Sequence, residues 1–507
     1  MIVEDQAPTI EFLSDPSSHG GIDVHRIETH ISEIFLAGDR AYKLKRAVKL
    51  PYVDFSSPQL RLETCEKEVT LNHKTAPGLY LGVRRLTRDD DGRLMFGGRG
   101  KLIDAVVEMA RFDQDALFDK LAVDHLLTPD MMDRLAQKMA GFHDNAPVVR
   151  KTSGFRNIEN VLAINAAGFA TSQVFSSAET ADLNRRFARR LEGFRDLLDT
   201  READGKVRRC HGDLHLRNIC MIEDEPVLFD CIEFNDAIAT SDILYDLAFL
   251  LMDLWHRDLG DLANRVANRY FDQTDNDNGF VLLPFFMAVR AAVRAHVIAT
   301  QSQDDVTNHV ELASTARTYF DLAQKLLAED HGRLIAIGGF SGSGKSTVAD
   351  ALAPLIGLPP GARRVENDRL RKALFGTSVD QRLGPEAYSD ESTRSIYEEL
   401  VRRSVRIAAD GAAVIVDATF TDPAYRNAIS SAAGETSVPF KGVWLEADQE
   451  VLRNRVAKRR SGASDATVAV LDGQLQRELG PMDWEKVDAK GSVDTVAGRV
   501  RRTVGDV

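Results

Sequence analysis

Apolar and polar positions alternate between Ile27 and Leu50 and break at Ala37-Gly38-Asp39-Arg40, which predicts a hairpin whose second strand is Ala41 to Lys45. Strand alternation then puts Lys43 and Lys45 on one face. A helix is predicted over Pro58 to Lys74, stopped by Ala76-Pro77-Gly78, followed by two or three strands between Tyr80 and Met109 around the turn Asp89-Asp90-Asp91-Gly92. From Phe112 to Leu327 the period becomes helical, with helices predicted at Met131 to Phe142, Ala181 to Leu198, Asp242 to Leu254 and Thr315 to Leu327. One stretch, Arg209 to Asn235, interrupts it with short apolar runs at Ile219 to Ile222 and Val227 to Phe229, a β-rich loop set on a helical body. Glu329-Asp330-His331-Gly332 ends that pattern. The strands Leu334 to Ile337, Ala413 to Val416 and Phe440 to Leu445 then alternate with helices, as in a parallel α/β sheet.

These changes of period divide the chain into a β-rich part at residues 1–110, a helical part at 111–330 and a P-loop part at 331–507. A length of 507 residues accommodates about three such bodies. At 44% hydrophobic and 28% charged the composition is that of an ordinary globular protein. The net charge of −13 excludes a general nucleic-acid coat, which needs positive charge against phosphates. From Arg333 onward about 25 Lys and Arg face about 24 Asp and Glu, so the acidity lies in the first two thirds. Cys65, Cys210, Cys220 and Cys231 match no zinc spacing, and the start carries Glu4 and Asp5 without an apolar core, so a cytoplasmic protein is expected. Phe280 to Thr300 is apolar but broken by Arg290 and Arg294, and no membrane span is expected.

Gly339-Phe340-Ser341-Gly342-Ser343-Gly344-Lys345-Ser346 fits GxxxxGK(S/T) between a strand and the helical run from Thr347. Glycines let consecutive N–H groups point at phosphate oxygens, Lys345 adds a charge near the β and γ phosphates, and Ser346 can bind Mg²⁺. Gly339, Ser341, Gly342, Ser343, Gly344, Lys345, Ser346 and Thr347 are therefore candidate nucleotide-binding residues. Asp417, ending a buried strand, could hold the metal through water, face the substrate, or simply cap Thr419. Asp368 and Arg371 share one side of a helix's first turn, where a carboxylate can take a hydroxyl proton and a guanidinium can grip an anionic acceptor. The helix from Glu450 carries Arg453, Arg455, Lys458, Arg459 and Arg460, a basic cluster suited to a lid or to a solvated face.

The segments GGFSGSGKST, NDRLRKALFG and VIVDATF, with Arg426 beyond and the basic helix, resemble small P-loop kinases of the polynucleotide kinase and gluconate kinase type over about 170 residues. That resemblance implies Asp368 as general base, Arg371 orienting the acceptor's phosphate, and Arg455 or Arg459 contacting ATP. Asn367 departs from the family, where Ser is frequent.

His211-Gly212-Asp213-Leu214-His215-Leu216-Arg217-Asn218 has the HxDxxxxN spacing of a kinase catalytic loop. Phosphoryl transfer needs a carboxylate near the acceptor hydroxyl and oxygen ligands for magnesium nearby, and Asp213, Asn218 and Asp230 supply such groups. Lys43, the acids Glu63, Glu66 and Glu68 on the next helix, and Asp242 with Asp246 follow kinase order. HGDLHLRN, LFDCIEF, SDILYDLAFL and LAQKMAGFH together resemble the aminoglycoside phosphotransferase branch of the protein-kinase-like fold, over roughly residues 20 to 325.

The resemblance implies Asp213 as catalytic base, Asn218 and Asp230 as magnesium ligands, Lys43 as the phosphate-binding lysine with Lys45 as its rival, and Glu68 as ion-pair partner. His215 reads as a loop-structuring residue. No GxGxxG is present, so His30, Ser32 and neighbouring N–H groups would have to cover the phosphates, and backbone groups near Val106 to Met109 would choose the base.

The whole reads as a multidomain chain, a two-lobed protein-kinase-like α+β domain followed by a P-loop α/β domain. Its expected activity is phosphoryl transfer from ATP or GTP, with Mg²⁺, to a small hydroxylated acceptor such as a sugar or amino sugar, and to a second acceptor in the P-loop half. Two alternatives stay open: a nucleic-acid 5′-end kinase in the P-loop half alone, or a regulator that binds nucleotide without transfer. Neither oligomeric state nor acceptor identity follows from the sequence.

Overall fold

A computed structural model describes residues 3–29, 31–50, 53–150, 153–274, 276–304, 307–459 and 462–505. The chain divides into two compact units, one of Met1–Arg134, Gly141–Gly154 and Asp199–Leu250, the other of Leu135–Ala140, Phe155–Leu198 and Leu251–Val507. The break in period at residue 330 is thus flanked on both sides by the second unit, because the helices after Leu251 pack with the P-loop sheet.

In the first unit a six-stranded antiparallel sheet runs in the order Val24–Glu28, Ser32–Ala37, Arg40–Lys45, Lys101–Ala110, Tyr80–Arg88 and Leu94–Phe96. The predicted hairpin pairs Ala37 with Arg40 around Gly38, whose φ of 59° is left-handed and costs glycine nothing. Leu44 packs with Leu13, Phe35, Leu86 and Val106 on one face of the sheet. Ala41 packs with Leu62 and Cys65 of the helix Pro58–Asn72 on the other, so Lys43 and Lys45 point to that helix's side. The helix opens on a Ser57 cap with Pro58 in its first turn, and its buried Arg61 reaches Asp104 at 2.8 Å and Glu4 at 2.9 Å.

The interruption at 209–235 is a hairpin, Ile219–Ile222 against Glu225–Leu228, turned by Glu223 and Asp224 at φ of 51° and 61°. Thr240–Asp242 pairs with Val207–Arg209, and Asp242 then caps the helix Ile243–His256 by accepting the Leu244 N–H at 2.8 Å. The predicted single helix at 181–198 is two, Ser177–Gly193 and Arg195–Ala203, divided at Phe194.

The second unit holds a wholly parallel five-stranded sheet in the order Arg363–Glu366, Ala413–Asp417, Arg333–Gly338, Phe440–Glu446 and Glu485–Asp488. Its apolar core joins Ile335, Ile337 and Ile415 to the helices Lys345–Leu352 and Val493–Val504. The same unit contains the helices Gly260–Gln273, Leu283–Asp304 and His309–Leu326. Among the described residues one stretch, Asp277–Gln303, is long and apolar enough to cross a membrane, and most of it is buried within the protein.

Arg201 lies on Asp242 with two hydrogen bonds of 2.7 and 2.8 Å, and both side chains are almost fully buried. Removing one partner strands the other charge away from water. Arg201→Ala is expected to destabilise the first unit by about 3–5 kcal/mol in urea unfolding; a loss below about 1 kcal/mol would show that the pair behaves like a surface ion pair.

Candidate active sites

In the first unit Lys43 Nζ lies 2.8 Å from Glu68 Oε1 and 2.5 Å from Asp230 Oδ1. Burial opposes its charge, but Asp230 and Glu68 prevail and hold the ammonium well above the usual lysine range. Lys45, the rival, is almost wholly buried, and pairs with Glu68 and, at 2.5 Å, with Glu233. Glu68 therefore serves both lysines. Burial would raise its pKa, yet the two ammonium groups bring it down to about 2, while burial lifts Glu233 above the ordinary range despite Lys45. Lys43, at 12% exposure against 1% for Lys45, is the lysine with access to solvent.

The HGDLHLRN loop hangs from one buried carboxylate: Asp246 accepts the N–H groups of His211 and Gly212 at 3.1 and 2.9 Å and faces His143 Nε2 at 3.2 Å. His211 Nε2 pairs with the Phe229 carbonyl at 2.8 Å, which ties this loop to the strand end before Asp230. Asn218 Nδ2 donates to the Asp213 carbonyl and to Asp213 Oδ2 at 2.8 and 3.0 Å. With its N–H groups so used, oxygen is the atom Asn218 would offer a cation. Asp213 is 41% exposed, as a group that must meet an acceptor requires. His215 accepts the Arg217 N–H at 3.3 Å and lies 3.4 Å from Asp213, ordering the loop.

Asp230 adopts φ of 63°, a strained conformation for a side chain of this kind that costs on the order of 1–3 kcal/mol. It is retained because its N–H donates to the Tyr80 hydroxyl at 3.1 Å, the Cys231 N–H donates to Asn72 at 2.9 Å, and Lys43 holds the carboxylate. Lys43, Glu68, Asp213, Asn218 and Asp230 all lie within the first unit, with Lys43 in contact with Glu68 and Asp230.

Two expectations need correction. Ser32 is buried and its N–H is spent on Thr29 Oγ1 at 3.0 Å, so it does not cover phosphates; His30 lies outside the described residues. Val106 to Met109 are paired on both sides, with Ala41–Leu44 and with Tyr80–Arg84, and the Arg111 N–H still donates to the Asp39 carbonyl at 2.9 Å.

In the second unit Gly339, Gly342 and Gly344 take φ of 148°, 84° and 93°. A Cβ on Gly342 would lie 2.6 Å from the Leu452 carbonyl and one on Gly339 2.9 Å from that of Leu445, so the curl of the loop depends on glycine. Lys345 Nζ donates to the Gly339 and Phe340 carbonyls at 2.9 and 3.2 Å, inside its own loop. Burial lowers its pKa, partly offset by Asp417 and Asp368. Ser343 Oγ is buried with no protein partner among the described residues, a hydroxyl suited to an anion, whereas the Ser341 N–H meets Gln474 at 2.9 Å. Ser346 hydrogen-bonds Asp417, the two groups that would hold a cation, and Thr347 is exposed.

Asp417 is buried and its pKa raised, chiefly by burial, with Arg364 3.3 Å away. Asp368 sits half-buried in the first turn of the helix Asn367–Leu374 and in the field of Lys345. Arg371 is only 5% exposed: it lies over the Tyr388 ring, gives one N–H to the Ala387 carbonyl at 2.5 Å, and keeps a buried Nε without a partner among the described residues. Arg455 touches the loop at the Gly342 and Ser343 carbonyls, 3.4 Å each, and Arg459 is exposed beyond the helix Gln449–Lys458. Arg453 is taken by Asp472 at 2.8 Å; Arg460 lies outside the described residues. Arg426 is buried on the Phe420, Thr421 and Pro481 carbonyls and braces the loop after Asp417. Sequence reading misses Glu233 and Arg364, whose partners Lys45 and Asp417 are distant in the chain, and Glu366, paired locally with Arg369 at 3.1 Å but placed beside Asp417 by the sheet.

Residues 102–279 match the model of a phosphotransferase enzyme family, and residues 334–479 match that of an AAA domain family. The chain carries a kinase-like phosphotransferase domain followed by a P-loop domain, and is a kinase-type enzyme. The uncharacterized protein Rv2004c of Mycobacterium tuberculosis and the uncharacterized protein Mb2027c of Mycobacterium bovis are each 28% identical over 511 residues, covering 97% of this chain and 98% of theirs. Among solved structures, a choline/ethanolamine kinase family protein from Mesorhizobium loti covers 63% of this chain and 94% of its own at 14% identity and a TM-score of 0.41. A gluconokinase from Sinorhizobium meliloti 1021 covers 35% of this chain and 93% of its own at 21% identity and a TM-score of 0.26.

Glu366 is pushed up to about 7, first by burial and then by the Asp417 charge. An acid raised in the folded state loses stability as pH climbs from its unfolded value through its folded one, because only the folded chain still binds that proton. Glu366→Gln removes this penalty. Its stability gain over the parent is expected to be small at pH 5 and to grow to about 1–3 kcal/mol by pH 8 in urea titrations; a gap that does not widen contradicts the assignment.

Proposed function

We propose that the chain is a bifunctional phosphotransferase with two nucleoside-triphosphate sites, one at Lys43, Asp213, Asn218 and Asp230, the other at Gly339–Thr347 with Asp368 and Asp417. What carries this reading is that two phosphate-binding lysines, Lys43 and Lys345, each have their own set of carboxylates. In the first site Asp213 takes the proton from the acceptor hydroxyl, and Lys43, held by Glu68, orients the phosphates. Asn218 and Asp230 would hold Mg²⁺, which neutralises charge developing on the transferred phosphoryl group. In the second, the loop N–H groups and Lys345 cradle the phosphates, Asp368 takes the acceptor proton, and Arg455 approaches the loop; Ser346 and Asp417 would hold the metal.

The acceptor proposed for the first site is a small hydroxylated molecule, with a cationic one favoured by the acidity of this part of the chain. The second acceptor is proposed to be small as well, since Arg371 lies buried under Tyr388 and does not present a guanidinium to a polyanion. Four buried cysteines, none in a disulfide among the described residues, support a reducing cytoplasm.

The test uses the full chain, labelled ATP and a panel of sugars, amino sugars, amino alcohols, gluconate and a 5′-hydroxyl oligonucleotide. Asp213→Asn is expected to cut one labelled product by about 10²-fold or more, and Lys345→Ala a different one by a similar factor. Loss of a single common product with both substitutions would refute two independent sites. Label found only as free phosphate would favour nucleotide binding without transfer, and label on the oligonucleotide would favour 5′-end chemistry.

A further inference from the structure

We propose that the helix Gly260–Gln273 is a built-in brace of the P-loop site, in which Asn268 is a positioning residue that acts through Arg364 on Ser346 and Asp417. The inference rests on reading Gly339–Thr347 as a nucleotide site.

The strand Arg363–Glu366 lies at the margin of the parallel sheet and, among the described residues, pairs only with Ala413–Asp417. Its other side meets two asparagine side chains. Asn268 Oδ1 accepts the Arg364 N–H at 2.7 Å and its Nδ2 donates to the Ala362 carbonyl at 3.1 Å. Asn264 donates to the carbonyls of Ala362 and Pro360 at 3.1 and 3.0 Å. Both asparagines are almost fully buried, so these backbone groups have no water to turn to.

Alternation sends the two arginines of this strand in opposite directions. Arg363, 2% exposed, turns to the helical side, where Asp272 lies at 2.8 Å, Asp277 at 3.1 Å and Asn268 Oδ1 at 3.1 Å. Asp277 is gripped in turn by Arg403. Arg364, 4% exposed, turns to the P-loop, with the Ser346 carbonyl and Asp417 Oδ2 each 3.3 Å away and Asp350 against its other nitrogen.

A hydrogen-bonded line therefore runs from Asn268 through the Arg364 backbone and guanidinium to the hydroxyl-bearing residue and carboxylate that would hold the cation. Groups one step behind such ligands set their orientation. A displacement of the helix moves the Arg364 N–H first and the Asp417 contact with it, whereas the glycine loop itself, built on the strand Arg333–Gly338, is not part of this line. The brace therefore governs the metal-dependent share of nucleotide binding and leaves the metal-independent share alone.

Fluorescence reads this directly. The chain has three tryptophans, and Trp444 sits edge-on to Phe340 of the loop at 5.5 Å. With Trp255→Phe as background, ATP is titrated into the full chain with and without Mg²⁺, and the ratio of the two affinities is taken. Asn268→Ala is expected to reduce that ratio roughly tenfold while the Mg²⁺-free affinity stays within about twofold. Asn268→Asp, which keeps the oxygen that accepts the Arg364 N–H but loses the donor to the Ala362 carbonyl, is expected to restore part of it.

Val496→Ala, a core truncation on the helix Val493–Val504, serves as a stability control and is expected to leave the ratio unchanged. If Asn268→Ala does not fold, Asn268→Ser, which withdraws the acceptor from the Arg364 N–H while keeping a polar side chain, provides the same comparison. A ratio for either brace variant equal to that of Val496→Ala overturns the proposal, as does Asn268→Asp proving as impaired as Asn268→Ala. If Lys345→Ala keeps the full fluorescence response to ATP, it is the nucleotide-site reading that fails and not the brace.

Discussion

A cation taken out of water must keep an anion beside it or lose several kcal/mol, and this constraint organises both units. Lys45, Arg61, Arg201, Arg363 and Arg364 are all nearly inaccessible to solvent. Each fixes the relative position of elements far apart in the chain. In the first unit Glu68 holds two ammonium groups at once, and Asp230 takes the open side of one of them. Strand, helix and loop are consequently locked to a single arrangement, with Asp213 and Asn218 hung beside it from Asp246.

Much of this is legible in the residue pattern. Alternation across residues 40–45 places Lys43 and Lys45 on one face, and among the acids of the helix that follows it is the family resemblance that singles out Glu68. The rivalry between the two lysines disappears in three dimensions, because one carboxylate accepts both and only their depth distinguishes them. The P-loop and Asp417 are equally readable, since strand end, glycine spacing and following helix are local features.

What stays hidden is partnership across distance. Nothing in the run LFDCIEF marks Glu233 as a buried partner of Lys45, and nothing near Arg364 announces Asp417 or Asn268. Arg371 has the right spacing for an acceptor grip, yet Tyr388 covers it from a later segment. Arg455 and Arg459 share a helical face by count, but the helix ends at Lys458, and Arg455 hydrogen-bonds the loop while Arg459 acts on Lys345 through its charge. The Val106–Met109 backbone looks available until the strands on either side are known to claim it.

The asparagine cover on the strand Arg363–Glu366 has a practical consequence for dividing this protein. Unprotected sheet margins recruit strands from other molecules. A fragment begun at the visible change of period would bare that margin and strip two guanidinium groups of counter-charges, inviting self-association. A cut made ahead of Leu251 keeps the cover in place but removes Leu135–Ala140 and Phe155–Leu198 from the same unit, so no single cut frees the nucleotide-binding fold together with everything it packs on.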